Sequence, residues 1–343
     1  MRIVVAPGAF HGAVTATRAA RALESGWRTV RSRDSLTLRP MADGGAGTLA
    51  SVVSAHPGAT VRTVRGCTGP DGQPAVGRYA LLADRTAVVE LATAGGLPLP
   101  ARPAPLTAST RGTGETIAAA LDAGATRLVL ALGDSAATDG GTGLLSALGL
   151  RLLDREGHPL PDGGGALARA HRVDITRMRS APPGGVRLLT DAAGPLLGPE
   201  GAAAAQAPGK GADAEQVERL EQGLTRLSEL FGDRPDRPGA GAAGGTAYGL
   251  SAAWGATVTP GTAAVADLLR LDRVLTHADL VITGEAPGSH GRAVGEVAAR
   301  AERAGVPVRV VSGGFRPPGG WAAGARDPER WLHEAGAALA RTA

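Results

Sequence analysis

Residues 42–49 read Ala-Asp-Gly-Gly-Ala-Gly-Thr-Leu ("ADGGAGTL"), and residues 138–145 nearly repeat this stretch as "TDGGTGLL". Each copy places an aspartate before two glycines and lies just ahead of an apolar run with helical spacing. Successive glycines let backbone N–H groups turn toward one point, and the start of the following helix adds partial positive charge. The pair therefore suggests a site for two anionic or polyhydroxyl groups such as phosphate and carboxylate.

The aspartates of the two loops have more than one possible role. Asp43 and Asp139 could hold Mg²⁺, accept a hydroxyl proton, or simply cap the next helix of an ordinary strand-to-helix turn. Close repetition favours a functional role, because packing rarely requires two copies of one loop. Asp43 is the candidate catalytic carboxylate. The candidate phosphate- or substrate-binding residues of the two loops are Gly44, Gly45, Asp139, Gly140 and Gly141.

The two ends of the chain have the pattern of a parallel sheet covered by helices. The β-branched run "RIVVAP" (2–7) predicts a buried strand, residues 16–30 have helical spacing, and "SLTLRPM" (35–41) alternates like a strand. Near the other end, "ADLVITGE" (278–285) predicts a strand, and a helix and a further strand, "VPVRVVSG", follow it. This β-α-β order is typical of parallel α/β domains.

The middle of the chain has a different pattern. Residues 59–91 carry strands around the turn-rich "TGPDGQP", which indicates a hairpin, and "RLVLALG" (127–133) predicts a strand before the second loop. Residues 214–232 form the clearest amphipathic helix, and the Pro- and Gly-rich residues 233–245 predict a loop. We therefore expect an α/β domain made from residues 1–58 plus 268–343, with a mixed-sheet α/β domain inserted over 59–267.

Composition excludes several classes of function. Net charge is only +4 and aromatic residues make up 3%, so the scattered arginines provide no surface for nucleic acid. No run approaches the length of a membrane span, and the first residues are too short for a signal segment. The one cysteine, Cys67, is expected to be a buried apolar residue. We expect a cytoplasmic enzyme with a small-molecule substrate, and an exposed apolar face could support a homodimer.

Eight segments in order resemble the type I glycerate kinase family. They are "APGAF" (6–10), "MADGGAGT" (41–48), "GDSAATDGG" (133–141), "GGGALAR" (163–169), "GPEGA" (198–202), "GKGA" (209–212), "PGAGAAGG" (238–245) and "LVITGE" (280–285). The resemblance implies a two-domain fold, a Rossmann/flavodoxin-like parallel-sheet domain with an inserted mixed-sheet α/β domain. It also implies transfer of the ATP γ-phosphoryl group to D-glycerate with Mg²⁺, and it places the two glycine loops along the cleft between the domains.

The chain departs from the family at several polar positions. The family usually has Asp, Ser and Lys where this chain has Gly8, Ala9 and His11, Glu at Ala46, and Asn at Gly194. The stretch after Glu285 is also shortened to "APGSHG" (286–291). Loss of such groups predicts weakened or altered kinase activity, because phosphoryl transfer depends on positioning and charge. Two alternatives stay open: a repurposed enzyme of specialised metabolism that performs dehydration, cyclisation or group transfer, and a non-catalytic binding protein.

Two further residues are candidates for catalysis. Asp191 follows the apolar strand "VRLL" and lies at a strand end, where the sites of α/β proteins gather. His11 replaces a lysine of the family and could act as an acid or base near neutral pH, or could be a surface or packing residue.

Three further residues are candidates for binding. Lys210 is the only lysine in the chain, and it could contact phosphate or lie on the solvated surface. Glu285 lies at a strand end and could bind substrate or metal, while Arg292, with the nearby His290, could meet a ligand in the remodelled loop. ATP and Mg²⁺ are expected if kinase activity is retained; no particular metal ligand follows from the sequence.

Overall fold

The computed structural model describes residues 1–10, 14–286, 291–311 and 327–343. These residues form two compact units, each assembled from separate stretches of the chain. The first unit comprises Met1–Asp43, Ala50–Pro57 and Thr262–Ala343, and the second comprises Gly44–Leu49 and Gly58–Gly261. No helix among the described residues is both long and apolar enough to cross a membrane.

The first unit is built on a parallel sheet with the strand order β12-β11-β1-β2. The strands are β1 (Arg2–Val5), β2 (Ser35–Leu38), β11 (Leu280–Thr283) and β12 (Val308–Val310). Every neighbouring pair is parallel, and Val4 lies opposite both Thr37 and Val281. This is the arrangement that the β-α-β order at the two chain ends predicts.

Helices flank this sheet and supply much of its core. They are α1 (Ala16–Val30), α2 (Thr48–Ala55), which begins in the second unit, α8 (Gly261–Leu268), α9 (Leu271–Leu275), α10 (Arg292–Arg303) and α11 (Pro328–Thr342). Thr15 caps α1 by accepting the N–H of Arg18. Trp27 is fully buried, and Phe10 meets Trp331 edge to face with ring centroids 6.2 Å apart. Burial of these aromatic groups stabilises the unit.

The second unit is built on a mixed sheet of order β10-β9-β6-β5-β4-β3. The strands are β3 (Thr60–Thr68), β4 (Pro74–Leu81), β5 (Thr86–Glu90), β6 (Arg127–Ala131), β9 (Val186–Thr190) and β10 (Thr257–Pro260). The β3–β4 hairpin and the β4–β5 pair are antiparallel, whereas β5, β6, β9 and β10 run parallel. The last four strands therefore end at the same edge of the sheet, called here the carboxyl edge.

The remaining elements cover this second sheet. They are α3 (Ala92–Gly95), α4 (Arg111–Asp122), α5 (Thr142–Ala147), the two-stranded ribbon β7 (Arg151–Leu153) with β8 (Arg172–Asp174), α6 (Ala214–Phe231) and α7 (Ala242–Trp254). Helix α6 begins with a capping box in which Asp213 and Gln216 bond each other's backbone N–H groups. Its apolar face, including Leu220, Leu224 and Leu227, is buried in the core.

The predictions of an α/β fold with one parallel and one mixed sheet are confirmed. One boundary differs from the sequence interpretation. The glycine-rich stretch predicted as a loop to residue 245 runs into α7, and Ala243, Gly244 and Gly245 have left-handed backbone angles inside its first turn. Regular helical geometry therefore follows Gly245, which agrees with the composition of the stretch.

Candidate functional site

The first glycine loop rests on the carboxyl edge of the second sheet. The N–H of Gly133, just after β6, donates to the carbonyl of Gly44 at 3.3 Å. Gly44 has a φ of +86°, and an ideal Cβ built on it would lie 2.8 Å from the carbonyl carbon of Leu189 in β9. A side chain is therefore excluded by both backbone angle and space.

A buried carboxylate accepts hydrogen bonds from the end of the same loop that leads into α2. Glu90 is the last residue of β5 and is 8% exposed, and its Oε2 accepts the N–H groups of Gly47 at 3.1 Å and Leu49 at 3.0 Å. Gly47 immediately precedes α2 and Leu49 lies in its first turn, where a negative charge is favourable. Burial raises the pKa of Glu90 above its usual range; the two N–H bonds oppose this rise and the charge of Asp134 adds to it.

The second glycine loop closes on its own aspartate. Asp139 is completely buried; its Oδ1 accepts the N–H of Gly141 at 3.0 Å, and its Oδ2 accepts the N–H of Gly143 at 3.2 Å. Oδ2 also accepts the N–H and the hydroxyl of Thr110, both at 2.9 Å. Burial raises the pKa of Asp139, and these four bonds oppose the rise. Its carboxylate therefore ties the loop to the start of α4.

The glycines of the second loop also use their N–H groups within the protein. Gly140 donates to the carbonyl of Gly244 at 2.9 Å, while Gly141 donates to Asp139. An anion that approached these two donors would have to compete with those bonds. The predicted phosphate-binding role of Gly140 and Gly141 therefore stays a prediction.

Lys210 lies inside the second unit and not on its surface. Its Nζ donates to the carbonyl of Ala137 at 2.5 Å and to the hydroxyl of Thr138 at 3.1 Å, directly before Asp139. Burial lowers the pKa of Lys210 to about 8, while the charge of Asp139 acts in the opposite direction. The surface interpretation of this lysine is wrong, and its ammonium group is bound to the backbone of the second loop.

Asp191 has the position that the sequence predicts. It follows β9 at the carboxyl edge, and its Oδ1 accepts the N–H of Gly261, the residue after β10, at 2.7 Å. Because Leu189 supports Gly44, the first loop and Asp191 are linked through the end of the same strand. The second unit thus brings the first loop, the second loop and Asp191 to one edge of its sheet.

The remaining candidates belong to the first unit. Asp43 is exposed after β2, and Glu285 follows β11 and is half-buried. An ideal Cβ on Gly8 would lie 3.1 Å from the Cβ of Ala293 and 3.4 Å from Glu285 Oε2, so Gly8 packs closely against both residues. Arg292 is the exposed first residue of α10. His11 and His290 lie outside the described residues, so the predictions for them are not tested.

Sequence reasoning missed Glu90 and Thr110. Glu90 ends the buried strand "TAVVE", and a carboxylate at the end of a parallel strand is the same signal that identified Asp191. Cys67 agrees with its prediction, because it is a buried residue of β3 whose Sγ lies 3.7 Å from the hydroxyl oxygen of Thr116 in α4. Within the described ranges, three or more His, Cys, Asp or Glu residues do not come together as a metal cluster.

Glycine loops and acidic side chains at the carboxyl ends of parallel strands are typical of α/β proteins that bind small polar ligands. The family model described as "Glycerate kinase family" matches residues 3–320. The chain therefore belongs to the glycerate kinase family.

Individual relatives agree with this membership. The chain is 38% identical over 330 residues to the glycerate kinase of Bacillus subtilis (strain 168), covering 91% of this chain and 85% of the relative. It is 35% identical over 329 residues to the glycerate 2-kinase of Escherichia coli (strain K12), with the same coverage. The crystal structure of the putative glycerate kinase 2 from Salmonella typhimurium LT2 superposes with a TM-score of 0.88 at 34% identity, covering 100% of this chain and 98% of the other.

Proposed function

We propose that this protein transfers the γ-phosphoryl group of ATP to D-glycerate with Mg²⁺. The observation that carries the proposal is the carboxyl edge of the second unit, where the seated first loop, the anchored second loop and Asp191 converge. The similarity to the glycerate kinase of Bacillus subtilis and the glycerate 2-kinase of Escherichia coli supports the choice of substrate. Phosphoryl transfer requires mainly rigid positioning and charge stabilisation, which such a built edge can supply.

The residues of the second unit divide into ligand-facing and supporting groups. The carboxylate of Asp139 and the ammonium group of Lys210 form hydrogen bonds to the backbone of the second loop. We therefore assign both residues a role in supporting this loop. Gly44 and Gly45 remain the proposed phosphate-binding positions of the first loop. Asp191 lies at the strand end, and its proposed role is to receive the metal–nucleotide complex.

The donor set suits Mg²⁺ that arrives with ATP. Mg²⁺ usually keeps several waters and binds one or two carboxylates together with substrate phosphates, so it needs no cage of protein ligands. We propose Asp191 for this role because it lies at the carboxyl end of β9, whereas the four hydrogen bonds of the buried Asp139 carboxylate hold the second loop. When bound, the cation would neutralise charge that develops on the phosphate oxygens.

We further propose roles in binding glycerate for three residues identified from the sequence. We assign Asp43 as the carboxylate that accepts the hydroxyl proton of glycerate, and Glu285 as a group that orients the substrate. The guanidinium of Arg292 suits the glycerate carboxylate, because its planar fork can donate two parallel hydrogen bonds. Gly8 supplies no side chain at a position where the family usually has a carboxylate, which supports a weaker kinase than the family standard.

A direct assay tests this function. Purified protein is incubated with ATP, Mg²⁺ and D-glycerate, and phosphoglycerate is followed by mass spectrometry. Asp191→Ala, prepared in parallel, controls for a contaminating kinase. Phosphoglycerate that disappears in the variant is the expected result. Absence of product, together with no rise in melting temperature on adding ATP, would overturn the proposal and favour a repurposed or non-catalytic protein.

A further inference from the structure

We propose that Glu90 is a positioning residue, a built-in anion that holds the first glycine loop in the arrangement needed for phosphoryl transfer. This inference rests on the proposed function. Glu90 reaches the loop from a different strand, and its single atom Oε2 accepts the N–H groups of both Gly47 and Leu49. Both bonds hold the end of the loop that leads into α2. Gly44, near the start of the loop, packs against Leu189 in β9.

The two glycine loops obtain their internal anion from different sources. In the second loop, Asp139 accepts N–H groups two and four residues further along its own segment. In the first loop, the carboxylate that accepts Gly47 and Leu49 is Glu90, 43 and 41 residues away. Glu90, a residue of a separate strand, therefore accepts N–H groups of the first loop as Asp139 accepts N–H groups of the second.

This division has a functional consequence. Because Glu90 already accepts the N–H groups of Gly47 and Leu49, the loop does not need an incoming phosphate to orient them. The protein therefore meets its ligand with the first loop already in place, which avoids an ordering cost on binding. Removal of the carboxylate should leave two N–H donors in a buried place with no acceptor and loosen residues 44–49.

Three variants separate the charge, the hydrogen bonds and general destabilisation. Glu90→Ala removes the anion, and Glu90→Gln keeps a carbonyl oxygen for both N–H groups but no charge. Glu115→Ala is the matched control, since Glu115 also accepts a backbone N–H and a hydroxyl, both from Thr68 at 2.7 and 2.9 Å, at the β3–α4 contact. Formate serves as a small external anion that can refill the place of the missing carboxylate.

Two readouts are measured on the full-length protein. The first is kcat and KM for ATP and D-glycerate, with and without formate. The second is amide hydrogen exchange at Gly47 and Leu49, which does not require activity. We expect Glu90→Ala to lower kcat/KM by about 10- to 100-fold, as small misplacements of reacting groups do. We also expect formate to restore part of this loss, Glu90→Gln to keep more activity, and Glu115→Ala to resemble the wild type.

The outcomes distinguish this inference from the proposed function. If wild-type protein forms no phosphoglycerate, the proposed function fails, and exchange alone decides whether Glu90 holds the loop. Faster exchange at Gly47 and Leu49 in Glu90→Ala, slowed again by formate, supports the holding role. Unchanged exchange at these amides, or an active Glu90→Ala with wild-type kcat/KM, overturns the inference. A loss of activity in Glu90→Ala that Glu115→Ala shares and formate does not reverse would also overturn it.

Discussion

Lys210 and Ala137 are joined by a 2.5 Å hydrogen bond from a buried ammonium group to a backbone carbonyl of the second glycine loop. The bond crosses 73 residues of sequence and uses the only lysine of the chain. Thr138, the next residue of the loop, accepts a second bond from the same nitrogen. The lysine therefore contributes to the shape of the loop, and its protonation is linked to folding.

Stability should depend on the charge of Lys210. Burial lowers the pKa of this lysine from 10.5 to about 8 in the folded protein. Between these values the unfolded chain binds the proton more than the folded protein does, so the contribution of Lys210 to stability rises with pH from about 8 to 10.5. The gap corresponds to about 3 kcal/mol. Below pH 8 the desolvation cost is present in full.

The sole lysine permits a direct measurement of this effect. Protein labelled with ¹³C only in lysine gives one Cε signal, and its titration midpoint is expected near pH 8 when folded and near 10.5 in urea. Lys210→Met provides the control for stability, because its unfolding free energy should lack the rise over this interval. A titration midpoint at or above pH 10 in the folded protein would contradict the prediction that burial lowers the pKa of Lys210.

Replacement of Asp139 should destabilise the second unit strongly. Asn keeps one oxygen and places an amide group against N–H donors that now face a carboxylate, such as that of Gly141. We expect Asp139→Asn to lower the unfolding free energy by about 3–5 kcal/mol, as is usual for one partner of a buried charged network. Asp122→Asn, which breaks an exposed pair with Arg179, should cost less than about 1 kcal/mol. Urea unfolding compares the two, and equal costs would contradict the anchoring role of Asp139.

Two glycines of the first loop separate backbone strain from steric contact. Gly44 and Gly47 have φ values of +86° and +91°, but an ideal Cβ meets Leu189 at 2.8 Å in the first case and nothing within 4 Å in the second. Gly47→Ala should therefore cost only the strain, about 1 kcal/mol. Gly44→Ala should cost clearly more and also lower kcat/KM. Calorimetry and steady-state kinetics measure both, and a Gly44→Ala protein as stable as Gly47→Ala would contradict the seating of the loop.

Asp191 should matter for activity much more than for stability. In Asp191→Asn the amide oxygen can still accept the N–H of Gly261, so this bond should contribute no more than about 1 kcal/mol to any change in the unfolding free energy. Loss of the charge that is proposed to meet the metal–nucleotide complex should lower kcat by about 100-fold or more. Asp84→Asn, an exposed change before β5, is the control. A kcat within twofold of wild type in Asp191→Asn would refute the assignment.

The elements of the fold follow closely from local sequence signals. The helical spacing over residues 16–30 corresponds to α1, and the amphipathic pattern over 214–232 corresponds to α6. The turn-rich "TGPDGQP" joins β3 to β4 as a hairpin. These features depend on periodicity and turn chemistry within a few residues, which a single sequence contains.

The supporting contacts of the site do not follow from such signals. The bonds from Glu90 to the first loop and from Lys210 to the second connect residues that are 41 to 73 positions apart. Their existence depends on how strands and helices stack after folding. Lysine is usually exposed, so a surface position is one of the two interpretations that the sequence allows, and the burial of Lys210 excludes it. The position of Glu90 at the end of a strand can be predicted from the sequence, but its hydrogen bonds to the first loop cannot.

The measurement that tests the central claim most directly is ³¹P NMR of the purified protein with Mg²⁺, ATP and D-glycerate. The predicted result is the loss of the γ-phosphate signal of ATP, with one new phosphomonoester signal formed for every ADP and with no such turnover in Asp191→Asn. Release of inorganic phosphate without a phosphomonoester, or unchanged ATP in the presence of D-glycerate, would contradict it.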